Sequence, residues 1–281
     1  SIDFEHEQLI AMLRYCAFWQ DKKDTEKSIE EAFDKAEYLL KEWRIFMLFL
    51  EEKEQEPVEN ACSAIKQWVF STALEHYQSL TDASDSQDPE ILFRIGKCYK
   101  HIGDYEKALT FLESASANRN DNAEIMAELA DAYALVNEIR AAKVFFREAL
   151  FRDPGKVDTV CLESLLIRRL IKAVAEKGLE PPLLEEWIPV YGVLFGVFTI
   201  KRELRPLEYG KLKQSIFALE NDINTASGDK SRRELLIPRL LNRYFWLLDH
   251  YVNSKESNRR IEEILMKIKA LDENVYEQYL N

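Results

Sequence analysis

What this sequence of 281 residues has little of narrows its possibilities first. Glycine and proline occur only eight times each, well under the usual roughly 7% and 5%, so there are few places for tight turns or chain breaks and long helices are expected. Four cysteines, Cys16, Cys62, Cys98 and Cys161, stand far apart with no Cys-x-x-Cys pair. Their helical, apolar neighbourhoods read as buried reduced thiols rather than as a disulfide frame or metal site. A reducing compartment such as the cytoplasm fits that usage, although a chain beginning at Ser1 rather than Met is compatible with a removed leader or a longer N-terminus. The four histidines, His6, His76, His101 and His250, include no pair at the four-residue spacing of a helical metal site. Glycine-rich phosphate loops, dinucleotide fingerprints and the Gly-x-Ser-x-Gly nucleophile turn are all missing. Neither a cofactor nor a catalytic residue is therefore expected, and the carboxylates Glu51, Glu52, Glu54 and Glu56 read as a solvated helix end.

Long apolar runs are also few. The most apolar stretch, residues 187–200, spans fourteen residues, short of the roughly 20 that a membrane-crossing helix needs. It is expected to be a buried helix in which Gly192 and Gly196 permit close packing, with a membrane segment or an exposed partner-binding segment as the alternative. Charge is uneven: 15 acidic against 8 basic residues in 1–56, 16 against 11 in 57–156, and 19 against 19 in 157–281. A net charge of −12 repels phosphate backbones, so nucleic acid is disfavoured as a partner; the shortness of the apolar runs makes a membrane an unexpected one. The neutral final third still leaves room for a local basic patch.

What is present is a repeat. Shifting Pro89 onto Ala123, an offset of thirty-four residues, places Ile95 over Leu129, Gly96 over Ala130, Tyr99 over Tyr133, Ala108 over Ala142, Leu112 over Phe146 and Ala115 over Ala149. Two antiparallel helices approach closely only where side chains are small, and the aromatic and Leu positions fill the adjoining space. Gly103-Asp104 marks the turn inside the first copy and Asn137 takes the place of Gly103 in the second. Asp153-Pro154-Gly155 closes the second copy, whereas Asn120 stands at the first copy's closing Pro position. In period and residue type the stretch 89–156 resembles the tetratricopeptide repeat (TPR) family, whose pattern runs Trp-x2-Leu-Gly-x2-Tyr, then Ala-x3-Phe, then Pro.

The resemblance implies an all-α, right-handed solenoid of antiparallel helix hairpins with irregular flanking helices, in which each repeat packs on its neighbours. Three regions follow: a helical region 1–80 with degenerate repeats, the two repeats at 89–156, and a helical region 157–281 with a candidate TPR-like unit at 242–275. Within the first, helices are expected over 2–20 (apolar face Leu9, Ile10, Leu13, Ala17, with Phe4, Tyr15 and Trp19 adding bulk), 38–53 and 58–80. Asp24 to Ser28 looks like the opening of a second hairpin helix. The stretch 58–80 reads as one long helix or as a hairpin, and 81–88 as a polar linker. A helix over 157–177 is expected to begin in repeat register, and the final residues 275–280 look like the opening of another helix.

For function, the resemblance implies a concave face lined by the second, fifth, ninth, twelfth and thirteenth residues of each unit. These are Glu90, Phe93, Lys97, Lys100 and His101, then Glu124, Ala127, Asp131, Ala134 and Leu135. The helix that follows adds Asp158, Cys161, Leu165, Arg168 and Arg169. Lys97, Lys100, His101, Arg168 and Arg169 would make a basic groove in an acidic protein, unless they are ordinary solvated charges or the chain fills its own groove. Phe93 and Lys97 stand where the family's clamp for chaperone tails has Lys and Asn, which argues against that kind of ligand. The expected activity is that of a non-enzymatic adaptor or scaffold that binds a peptide or helical segment of another protein through Phe93, Lys97, Lys100, His101, Asp131, Leu135, Arg168 and Arg169. A homodimeric structural module, or a ligand-binding regulatory domain of a larger enzyme or transporter system, is the alternative.

Overall fold

The structure, a computed structural model, describes residues 2–51, 57–83, 88–119, 121–200 and 203–280. The acidic run 52–56, the middle of the polar linker (84–87), Asn120 and Lys201-Arg202 fall outside them, as do the side chains of Phe4 and His6. Among the described residues there are thirteen α-helices and no strand, the helical content that so few glycines and prolines predict. The chain divides into two compact units, residues 1–121 with 160–162, and residues 122–159 with 163–281. The division falls between the two repeats.

In the first unit, α1 (Ile2–Ser28), α2 (Ala32–Glu51), α3 (Glu59–Ala83), α4 (Pro89–Ile102) and α5 (Tyr105–Asn118) pack in succession. Residues 24–28 continue α1 without a turn, so the expected hairpin opening there does not occur, and 58–80 lies in one long helix. The stripe that α1 buries is Ala11, Tyr15 and Trp19, while Leu9, Ile10 and Leu13 are exposed. Ring packing explains the reversal: Tyr15 and Trp19 lie 5.4 and 5.7 Å from Phe46, and Trp19 lies 5.5 Å edge-on to Trp68. Large flat rings bury more apolar area per contact than the aliphatic face does. Cys98 is buried as expected, but Cys16 is exposed and Cys62 half-buried.

The first repeat is the hairpin α4–α5; the second is α6 (Ala123–Leu135) with α7 (Ile139–Arg152), at the start of the second unit. The two agree position by position. Asp88 caps α4 by accepting the Glu90 N–H, and Asn122 caps α6 by accepting those of Glu124 and Ile125. Gly103 and Asn137 both take left-handed φ values, 90° and 66°. The following N–H groups, of Asp104 and Glu138, donate to the carbonyls of Tyr99 and Tyr133 at 3.0 and 2.8 Å. Tyr99 stacks on Phe111 and Tyr133 on Phe145, each with ring centroids 5.5 Å apart. Ala108, Leu112 and Ala115 are fully buried, and so are Ala142, Phe146 and Ala149.

In the second unit, α7 is followed by a 3-10 turn, Pro154–Lys156, and then by α8 (Leu165–Ala175), α9 (Leu183–Leu194), α10 (Pro206–Thr225), α11 (Lys230–Asn253), α12 (Asn258–Leu271) and α13 (Glu273–Leu280). The helix expected over 157–177 forms only from Leu165. Residues Glu163 and Ser164 are held instead by the buried carboxylate of Asp131, which accepts both N–H groups at 2.8 Å. The apolar run 187–200 is likewise not one helix. α9 ends at Leu194, Gly196 adopts φ 68°, and the Val197 and Phe198 N–H groups donate back to the Gly192 carbonyl at 2.9 and 2.8 Å. The reversal lays Phe198 on Gly192, where a side chain would collide with the ring. At the centre α11 buries Leu240, Leu241, Tyr244, Phe245 and Leu247, and a buried Arg147–Asp249 ion pair ties it to α7. Asp272 closes α12 in extended geometry (φ −154°, ψ 106°), much as Asp153 closes α7 (φ −157°, ψ 93°).

Candidate functional site

The residues expected to line a basic groove have separate fates. In the first unit, Phe93, Lys97, Lys100 and His101 are all buried. The His101 imidazole stacks on Phe70 of α3, centroids 4.0 Å apart and planes within 19°. Lys100 has no exposed surface, and its Nζ donates to the Cys161 carbonyl at 3.4 Å. These side chains therefore face the chain's own helices and its 160–162 segment. A partner cannot reach them in this conformation. The physical reason is that the family's concave positions stay open only when no other part of the chain folds onto them.

In the second unit, Asp131 is fully buried and used to anchor the start of α8, and Leu135 is half-buried. Arg168 and Arg169, by contrast, are exposed on α8. That helix reads Leu-Leu-Ile-Arg-Arg-Leu-Ile-Lys-Ala-Val-Ala. It buries Ile167, Leu170 and Val174 on one face and turns Arg168, Arg169 and Lys172 outward. No carboxylate pairs with these three cations among the described residues.

Beside them lies an apolar groove of about 380 Å³. Ile139 at the start of α7, Leu165, Leu166 and Leu170 of α8, and Phe195 and Val197 after α9 line it, with Arg169 at its edge. Leu165 is 68% exposed and Phe195 44%. Apolar groups so open beside unpaired cations are the ingredients of a recognition surface. Arg168, Arg169 and Leu165 were legible as surface candidates. Ile139, Phe195 and Val197 were not, because the turn at Gly196 that brings the end of α9 back along α8 has no signal in apolar spacing.

Paired antiparallel helices repeating at thirty-four residues define a helical-repeat class of protein. Residues 103–158, from the turn of the first hairpin through the close of the second, match the tetratricopeptide repeat family model. The chain thus carries a tetratricopeptide segment, of the kind from which protein–protein interaction modules are built. No curated protein matches the chain. Among the described residues no helix is long and apolar enough to cross a membrane.

Proposed function

We propose that this protein is a non-enzymatic adaptor that binds an acidic, amphipathic helical segment of another protein in the groove between α8 and the turn at 195–197. The observation that carries the reading is α8 itself. In a chain of net charge −12, it presents Arg168, Arg169 and Lys172 without a carboxylate of its own, next to the open Leu165 and Phe195 side chains. A partner helix with apolar residues at i, i+3 and i+4 would fill the groove, and acidic residues flanking that stripe would meet the three cations. Phe93, Lys97, Lys100, His101 and Asp131 serve in this reading as internal supports, and the contact residues are Ile139, Leu165, Leu166, Arg168, Arg169 and Phe195.

A photo-crosslinking residue at Ala173, which lines the groove, tests this in the native host. The segment captured should be acidic and amphipathic. Leu165→Asp and Arg169→Glu should each abolish capture while leaving the thermal melt unchanged. Capture of a basic or unpatterned segment, or capture undiminished in both variants, would overturn the proposal. A crosslink to this chain's own sequence would move the reading to the homodimer.

A further inference from the structure

A second concavity of the second unit has different chemistry. The end of α7 and its cap, α9, α10 and α11 border a half-open cavity of about 390 Å³. Phe151, Pro154, Ala218 and Leu219 supply apolar wall, while Arg239, Asn242 and Arg243 line it from successive turns of α11. Three carboxylates also border it, and each already has a cation: Asp222 lies 3.8 Å from Arg232, Asp153 3.6 Å from Lys156, and Glu186 2.5 Å from Arg239.

Arg243 is the exception. Its Nε donates to Ser215 Oγ at 3.2 Å, its Nη1 to the Phe151 carbonyl at 2.5 Å, and its guanidinium lies 3.9 Å from the centre of the Phe151 ring. All these partners are neutral. No carboxylate hydrogen-bonds to it among the described residues, and its Nη2 meets no acceptor. Burial lowers its pKa to about 10, with nearby Glu186 opposing and Arg239 adding to the fall. Holding a partly buried guanidinium on neutral acceptors carries a cost, and an oxyanion in bidentate contact compensates for it.

We propose that this cavity binds a small organic monocarboxylate, with the carboxylate on Arg243 and the apolar body against Phe151, Pro154 and Leu219. The volume lies within the range of small-ligand sites. The charges of the lining balance, Arg152, Arg239 and Arg243 against Asp153, Glu186 and Asp222, so the cavity has no excess of positive charge for a doubly charged ligand, which disfavours phosphate monoesters and dicarboxylates. No residue lines both this cavity and the docking groove, so either reading can fail without the other.

The test is calorimetric titration of the full chain with phenylacetate, 2-phenylethanol and inorganic phosphate. Phenylacetate should bind, and the alcohol, which keeps the ring but lacks the anion, at least about tenfold more weakly. Arg243→Gln should lose a similar factor and Arg243→Lys should recover part of it. Ala218→Trp alters an exposed cavity residue and leaves Arg243 in place, so it should melt like wild type yet not bind. Equal binding of acid and alcohol, undiminished binding by a folded Arg243→Gln, preference for phosphate, or no heat from phenylacetate at concentrations on the order of 10 mM would each overturn the assignment.

Discussion

Gly96 is the point at which the first repeat can be probed with a single methyl group. A Cβ built there would stand 2.7 Å from Leu112 Cγ, 3.0 Å from Leu112 Cδ2 and 3.0 Å from the Leu112 backbone nitrogen. Leu112 is fully buried, so its side chain has no solvent to turn into, and the backbone nitrogen can retreat only if α5 moves with it. Such overpacking costs roughly 1–3 kcal/mol. Against this, alanine in place of glycine inside a helix returns about 1 kcal/mol. Gly96→Ala should therefore destabilise the protein by up to about 2 kcal/mol, a fall in melting temperature of up to several degrees, read by circular dichroism and by denaturant titration. Gly210→Ala supplies the control: it is also inside a helix, α10, but nothing lies within 4 Å of its Cβ position, so it should stabilise by up to about 1 kcal/mol. If both substitutions raise stability equally, the close approach of α4 and α5 is not as described and the account of the small positions fails. The second repeat has Ala130 at the matching place with Phe146 where the first has Leu112; Gly96→Ala with Leu112→Phe should accordingly recover part of the loss.

Three further outcomes are expected. Gly192→Ala puts a methyl 2.3 Å from the Phe198 ring, and displacing that buried ring should cost at least about 2 kcal/mol, measured by urea unfolding. Asp131→Ala removes the acceptor for the Glu163 and Ser164 N–H groups and should cost roughly 2–3 kcal/mol, with Asn, which keeps one acceptor oxygen, in between; hydrogen exchange of the Ser164 amide should quicken in the same order. Burial pushes the Glu220 pKa up, but hydrogen bonds from Lys267 at 2.8 Å and Tyr244 at 2.6 Å outweigh it and hold the group below its usual value. The unfolded value is about 4.3, so this contribution is complete above that pH and is lost as pH falls through the lower folded value. The stability gap between wild type and Glu220→Gln should therefore be constant near neutrality and close below about pH 4.3; a gap that widens with acid would refute the assignment.

The repeats were legible because their constraints are local. Gly103 and Asn137 sit where a left-handed turn is needed, and the Tyr99–Phe111 and Tyr133–Phe145 pairs join helices of one hairpin, so each stretch carries its own instructions. What stayed hidden depends on distant parts of the chain. Apolar spacing marks both Leu9-Leu13 and Tyr15-Trp19 as candidate core on α1, but only Phe46 and Trp68, on other helices, decide for the rings. The segment before α8 keeps repeat-like spacing yet does not form a helix, because Asp131 captures the Glu163 and Ser164 N–H groups from thirty residues away.

Charge tells the two groups of cations apart in a way that spacing cannot. Lys100 and His101 occupy the inner positions of a repeat helix and are enclosed, the one donating to a carbonyl of the 160–162 segment and the other lying flat on Phe70. Burial puts both out of reach of a surface partner. Arg168, Arg169 and Lys172 remain hydrated and without a carboxylate partner, and beside them the fold leaves Leu165 and Phe195 open to water. Exposed cations alone would be an ordinary solvated face, and exposed leucines alone an ordinary imperfection. Together they give an acidic amphipathic helix both an area to bury and a charge to meet. That pairing separates α8 from α12, which also exposes Met266 but answers three of its four cations, Arg260, Lys267 and Lys269, with Glu256, Glu220 and Glu273. With most of its cations already met, α12 has less to offer such a partner, so substitutions along it should leave the crosslink at Ala173 untouched while those along α8 remove it.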